Sequence, residues 1–146
     1  MTYRPGDVGL AVKRLQHRHH RALNRVLAPL GLSLVQWDTL RHLDLNPDAS
    51  LHDLAVLTFQ TDQSFGSLAT RMAAGGLIER VPGPGRAVKH RLTDKGARLR
   101  AEGQAAVDAV LESSFSHLTP AQLDQLGELL DLAVGPAPTA SCPEGE

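Results

Sequence analysis

Residues 51–96 read LHDLAVLTFQTDQSFGSLATRMAAGGLIERVPGPGRAVKHRLTDKG, and this stretch decides the fold. Ser50, directly before it, is typical of a helix N-cap, and apolar residues then recur at helical spacing. Thr61 or Asp62 caps a further helix over roughly 62–74, which a Gly-Gly pair ends. The stretch therefore predicts two consecutive helices joined by a short turn.

The period of the apolar residues changes after that glycine pair. Leu77, Ile78 and Val81 fit a short strand, and the PGPG run at 82–85 forbids a helix. Residues 87–92 fit the return strand of a hairpin with a basic loop. The whole stretch predicts a winged helix-turn-helix.

Apolar periodicity and caps predict four more helices, which makes the fold mainly α, with six helices and a small β-wing. We expect one domain over 1–135 with a helix-turn-helix core at about 33–93. Further helices fill about 8–28 and 94–134, and the tail 136–146 is rich in Pro, Ala, Ser and Glu and is predicted to be disordered.

Charge is distributed unevenly along a chain whose formal net charge is only −1. Residues 1–30 have six basic side chains against one acidic, and 61–100 have eight against three. Residues 101–146 contain eight acidic side chains and no Lys or Arg. The local field of the basic middle segment, not the total charge, would attract a phosphate backbone.

Several function classes are disfavoured by composition and motifs. No apolar run is long enough for a membrane span, and the N-terminus lacks a signal-type apolar segment. The single cysteine, Cys142, permits no internal disulfide, in keeping with a cytoplasmic protein. No nucleophile–base set or phosphate-binding glycine loop is present, so we expect neither an enzyme nor a cofactor.

The predicted helix 62–74 presents short polar side chains opposite its apolar face. Gln pairs bidentately with adenine, and Ser can serve several bases, so this face is suited to the major groove. Asp62 would repel a phosphate unless it caps the helix, which is the better use of it. The predicted DNA-binding residues are Gln63, Ser64, Ser67, Thr70 and Arg71 on the helix, with Arg86, Lys89 and Arg91 in the wing.

Two simpler interpretations of this face stay open. The polar residues could be an ordinary solvated helix face, or the domain could be a winged-helix protein-interaction module without DNA binding. The basic wing beside the helix favours double-stranded DNA as the partner.

Histidine is abundant, with seven residues in the chain. His17 and His20 are three apart and can share a helix face, so with His42 or a carboxylate they could hold zinc. No second ligand pair has a firm spacing, and surface or interface histidines are the simpler interpretation, so we predict no metal site. A zinc-responsive regulator is kept as an alternative function.

The order and spacing of several short segments resemble those of the MarR family of transcriptional regulators, over about residues 8–134. The matching segments are LVQW at 34–37, LA at 54–55, RMAAGGL at 71–77, RA at 86–87, LTDKG at 92–96 and LTPAQL at 118–123. One departure lies in the wing, where family members have an Asp two residues before the Arg that corresponds to Arg86. This chain has Pro84 there.

This resemblance implies a homodimer that forms through its N- and C-terminal helices. It also implies a palindromic DNA site, a repressor function, and release from DNA by a small molecule, an oxidant or a metal. A small-molecule pocket would lie between the dimer helices and the DNA-binding lobe. Its predicted lining is His17, His20, Trp37 and His42, although the spacing of Trp37 is that of a core residue.

Overall fold

The computed structural model describes residues 1–82, 85 and 88–136. This part of the chain contains six α-helices and one two-stranded antiparallel sheet, which confirms the predicted mainly α winged helix-turn-helix. The elements are α1 (Pro5–Leu27), α2 (Leu34–Leu45), α3 (Leu51–Leu57), α4 (Asp62–Ala74), β1 (Ile78–Val81), β2 (Lys89–Leu92), α5 (Asp94–Ser114) and α6 (Pro120–Val134). The predicted tail falls outside the described residues beyond its first residue, Pro136.

Helix α1 begins three residues before its predicted start at residue 8. Pro5 occupies the first turn, where its missing N–H costs nothing, and Asp7 accepts a hydrogen bond from the backbone N–H of Arg4. At the other end, the predicted residue 28 belongs to a separate 3-10 turn, Ala28–Leu30. Apolar periodicity alone gave no signal for either end.

The core lies where α1, α2 and α5 meet the helix-turn-helix pair. Leu27, Leu40 and Phe65 are at most 1% exposed, and the indole N–H of Trp37 donates to the carbonyl oxygen of Arg100 at 3.1 Å. Gly103 of α5 packs directly on Trp37, so closely that a Cβ there would lie 2.4 Å from the ring. This contact fixes α5 against α2.

The wing hairpin is pinned to the start of α5. Ile78 pairs with Leu92, and Val81 pairs with Lys89. The hydroxyl of Thr93 donates to the carbonyl oxygen of Gly76 at 2.5 Å and accepts from the backbone N–H of Gly96 at 3.0 Å. This double role of Thr93 joins the end of α4 to the cap of α5, and so orients the wing relative to α4.

Candidate nucleic-acid interface

Helix α4 is held in place by its apolar face. Phe65, Leu68, Ala69 and Met72 are between 1% and 4% exposed. These residues recur three and four apart, so they form one stripe against the core. The remaining face of α4 must therefore point to solvent.

All five residues predicted to contact DNA from this helix are exposed. Four of them, together with Val35 and Gln60, line one open groove of about 450 Å³. The hydroxyl of the fifth, Thr70, donates to the carbonyl oxygen of Gly66 at 3.0 Å, which leaves only its acceptor capacity free. The exposed residues are Gln63, Ser64, Ser67, Thr70 and Arg71.

The N-terminus of α4 resolves the choice between two caps. Thr61 is the N-cap, and its hydroxyl accepts from the backbone N–H of Ser64 at 3.1 Å. Asp62 is the first residue of the helix and does not cap it, contrary to our assignment. Its carboxylate instead accepts a hydrogen bond from His52 Nδ1 at 2.8 Å, across the turn from α3.

The turn between α3 and α4 contains an unusual residue. Phe59 has a φ of 57° and a side chain that is 94% exposed. Side chains other than Gly rarely adopt this left-handed conformation, and bulky ones especially so. The tight turn is closed behind it by the N–H of Gln60, which donates to the carbonyl of Ala55 at 2.8 Å.

The basic residues predicted in the wing differ in how closely acidic side chains pair with them. Arg91 Nε donates to Glu79 Oε1 at 2.6 Å, because β-sheet register places these two residues directly opposite. Lys89 Nζ lies 4.0 Å from Asp48 Oδ1. The predicted Arg86, and Pro84 before it, lie outside the described residues.

Arg71 contrasts with these wing cations. Among the described residues no ion pair involves Arg71, and its side chain is exposed on the groove face of α4. A guanidinium without an ion-pair partner can bind a DNA phosphate without first breaking a contact to a carboxylate. Arg71 is therefore the strongest backbone-contact candidate of those the structure describes.

The residues predicted for an effector pocket fall into two groups. Trp37 lines a groove of about 400 Å³ between α1, α2 and α5, with Arg41 and Leu111 among its other walls. Arg41 lies with its Cζ 6.0 Å from the Trp37 ring centre and donates to His42 Nε2 at 3.2 Å. Burial, opposed by Asp38, lowers the pKa of His42, which favours the neutral imidazole.

Of the four predicted pocket residues only Trp37 lines this groove, and His17, His20 and His42 do not. His17 lines a separate shallow cavity on α1, and His20 is exposed and hydrogen-bonded to Asn24. Within residues 1–82, 85 and 88–136, no group of three His, Cys, Asp or Glu side chains is placed to hold a metal. The zinc-responsive alternative thus gains no support from the described side chains.

His19 lies on the apolar stripe of α1, as its spacing predicts. Its Nε2 is 2.7 Å from the hydroxyl oxygen of Ser114, and its ring meets Phe115 edge-on, with centres 5.3 Å apart. Burial, and then the charge of Arg18, lower its pKa. His19 therefore helps to pack α1 against α5.

Two neighbouring helices with a short turn, followed by a hairpin that is anchored beside the second helix, define a winged helix-turn-helix protein. Residues 30–87 match the sequence model of the MarR family. The HTH-type transcriptional repressor IacR of Pseudomonas putida is 25% identical over 121 residues, 82% of this chain and 72% of that protein.

Solved structures agree over nearly the whole chain. A mutant MarR from Escherichia coli, in complex with operator DNA, has a TM-score of 0.80 at 21% identity, covering 88% of this chain and 94% of that one. A MarR family protein from Mycobacterium tuberculosis, in complex with salicylic acid, has a TM-score of 0.72 at 24% identity, covering 92% and 98%.

The described fold is thus that of the solved MarR regulators, and the chain is similar to that family in sequence over residues 30–87. These comparisons confirm the resemblance to the MarR family that the sequence shows. Among the described helices, none combines the length and apolar character that a membrane span requires.

Proposed function

We propose that this protein is a homodimeric cytoplasmic repressor that binds a palindromic operator and leaves it when a small molecule binds. One observation carries the DNA-binding part. The polar face of α4 is exposed along its length while its opposite face is locked in the core. A rigid helix with short polar side chains at its N-terminal end is what the major groove accommodates.

The homodimer is supported by apolar residues that the described part of the chain leaves exposed. No residue of α6 is buried among the described residues, although Leu123, Leu126 and Leu130 form one stripe along it. Val8 and Val12 at the start of α1 are also about half exposed. A second copy would cover both helices at once.

Charge favours the same pairing. Helix α1 is basic on its solvent face, whereas α5 and α6 contribute six acidic side chains beyond residue 100. Opposite charges on two surfaces steer association and fix its orientation. The basic residues of α1 are Lys13, Arg14, Arg18, Arg21 and Arg25.

The dimer would place two copies of α4 in successive major grooves, about 34 Å apart. An effector can release DNA only if it binds better to a dimer whose spacing does not fit those grooves. The groove at Trp37 is suited to this, because it lies where α1 and α5 meet α2 of the DNA-binding lobe. The Mycobacterium tuberculosis relative, solved with salicylic acid, supports a small effector of this general kind.

The direct test is fluorescence anisotropy with a duplex from the upstream region of its own gene. We expect saturable binding that weakens steeply with salt, by roughly 0.9 log units per log unit of salt for each phosphate contact. An unrelated duplex should bind more weakly at the same salt. Equal affinity for both duplexes, or no binding at moderate salt, would contradict the proposal.

The effector part has its own readout, because Trp37 is the only tryptophan in the chain. A molecule that enters this groove should change the indole fluorescence at the same concentrations that release the duplex. Release without any change at Trp37 would place the effector elsewhere. His17 and His20, which the sequence prediction included, should then be tested next.

A further inference from the structure

His52 and Asp62 connect the two helices of the DNA-binding motif on their exposed side. His52 lies in the first turn of α3 and Asp62 is the first residue of α4. The imidazole Nδ1 donates to the carboxylate at 2.8 Å, and the two side chains are 67% and 69% exposed. Both side chains lie outside the hydrophobic core, so the contact belongs to the surface of the motif.

The position of the pair matters because Gln63, a predicted base-reading residue, follows Asp62 directly. A carboxylate at the first turn of a helix is favoured by the helix dipole. At a DNA surface, however, the same carboxylate is repelled by phosphates, unless a positive charge accompanies it. A protonated His52 is the only cationic partner that the described residues bring to it.

The surroundings of His52 leave Asp62 as its controlling partner. Asp53 on the same helix also faces it, but that carboxylate is engaged in the capping box with Ser50. The bonds from Ser50 lower the pKa of Asp53, and Lys89 of β2 adds a weaker effect on that carboxylate. Asp62 on the neighbouring helix therefore has the largest influence on the pKa of His52.

We propose that His52 is a positioning residue for DNA binding, whose imidazolium neutralises Asp62 at the entry of α4 and couples operator binding to proton uptake. The proposal rests on α4 being the DNA-binding helix, as argued above. Each copy of the chain in the proposed dimer would have its own His52–Asp62 pair near the DNA phosphates.

The direction of the coupling follows from the charges. The hydrogen bond with Asp62, and then its negative charge, raise the pKa of His52 above the ordinary 6.5. Bound phosphates favour the imidazolium further, so DNA raises this pKa again. Affinity is therefore highest below the pKa of the free protein and falls as pH rises towards the pKa in the complex.

The experiment measures the dissociation constant of the full-length protein for the upstream duplex between pH 6 and pH 8.5 at constant ionic strength. We expect the wild type to bind about tenfold more weakly at pH 8 than at pH 6. This corresponds to a rise of about one unit in the pKa of His52 when DNA binds. His52→Gln retains a hydrogen-bond donor but cannot become charged. It should lose most of the slope and bind at pH 6 about as the wild type does at pH 8.

Two further variants separate this effect from other titrations. Asp62→Asn removes the repelled carboxylate, so it should bind more tightly than the wild type at pH 8 and show a reduced slope. His117→Gln, at an exposed position between α5 and α6, removes one histidine far along the chain and should keep the wild-type slope. Proton NMR of the His52 ring should show its pKa rising when the duplex is added.

The outcomes distinguish the two proposals. A wild type that binds the duplex at no pH would contradict the proposed function. A wild type that binds, but whose pH slope His52→Gln leaves unchanged, would overturn the coupling alone. An unchanged His52 pKa in the complex would overturn it as well.

Discussion

The helix-turn-helix lobe and the terminal helices bury their apolar residues to very different extents. In α4, Phe65 and Met72 are 1% exposed, whereas Leu123 and Leu130 in α6 are 44% and 37% exposed. Helix α1 belongs to both regions, because Leu27 near its end is fully buried and Val8 near its start is half exposed. The described part of the lobe thus buries its apolar residues, whereas the outer parts of α1 and α6 leave theirs exposed.

The largest effect should come from charging the apolar stripe of α6. Leu123→Glu combined with Leu130→Glu places two carboxylates where a second copy would pack, so we expect monomers at micromolar concentration. DNA affinity should fall at least about 100-fold, because the two halves no longer bind as one unit. Analytical ultracentrifugation and anisotropy measure the two consequences.

The matched control uses the opposite face of the same helix. Leu132 lies about 180° from Leu123 around α6, and Leu132→Glu adds the same charge there. It should leave both the dimer and the DNA affinity close to wild type. Dimers that persist in the double variant would show that α6 is not the interface, and the contrast between the two regions would need another explanation.

The next effect tests how firmly α5 joins the two regions. Gly103→Ala places a Cβ 2.4 Å from Trp37 Cδ1 and 3.1 Å from Leu27 Cδ2. The indole cannot yield easily, since its N–H is bonded to the Arg100 carbonyl, so we expect a loss of about 3 kcal/mol in the free energy of unfolding. Urea denaturation followed by circular dichroism measures it.

Gly9 provides the comparison in the unburied part of α1. A Cβ there meets nothing within 4 Å, so Gly9→Ala should be neutral or stabilise by up to about 1 kcal/mol through helix propensity. Equal losses for Gly9→Ala and Gly103→Ala would mean that the close packing at Trp37 does not hold the lobe to α5.

A smaller effect distinguishes free from paired cations within the lobe. Arg71→Ala should weaken DNA binding about tenfold and reduce the slope of affinity against salt by about 0.9 per lost phosphate contact. Arg91→Ala should cost less, because Glu79 already neutralises that guanidinium. Arg98→Ala, which removes the same charge from α5, serves as the control. A larger loss for Arg91→Ala than for Arg71→Ala would contradict the ranking.

Local sequence patterns predicted most of the helices and strands. They did not predict the contacts between residues that are distant in sequence. The bounds of α4 and its exposed face follow from spacing within thirteen residues, which a sequence displays directly. The Glu79–Arg91 pair depends on β-register, and the His52–Asp62 pair depends on how two helices cross. Neither relation has a signal in local periodicity.

The predicted effector residues show the same limit. Trp37 and His42 share a neighbour in Arg41, whereas His17 and His20 face elsewhere on α1. The rotation of α1 about its own axis decides where its histidines face, and only tertiary packing fixes that rotation. Residue type and helix spacing could therefore nominate the two histidines but could not place them.

The smallest effect concerns pH and compares a buried histidine of the lobe with one of the terminal helices. Burial, and then the charge of Arg80, lower the pKa of His90 in β2 below 6.5. The neutral form is thus favoured by folding, so its stabilisation is complete above about pH 6.5 and is lost as pH falls through the folded-state pKa. The melting temperature should drop by a few degrees between pH 7.5 and pH 5.5.

His90→Gln should reduce that drop more than His19→Gln does, because His90 is only 8% exposed whereas His19 is half-buried. A greater change from His19→Gln would instead place the acid-sensitive contact between α1 and α5.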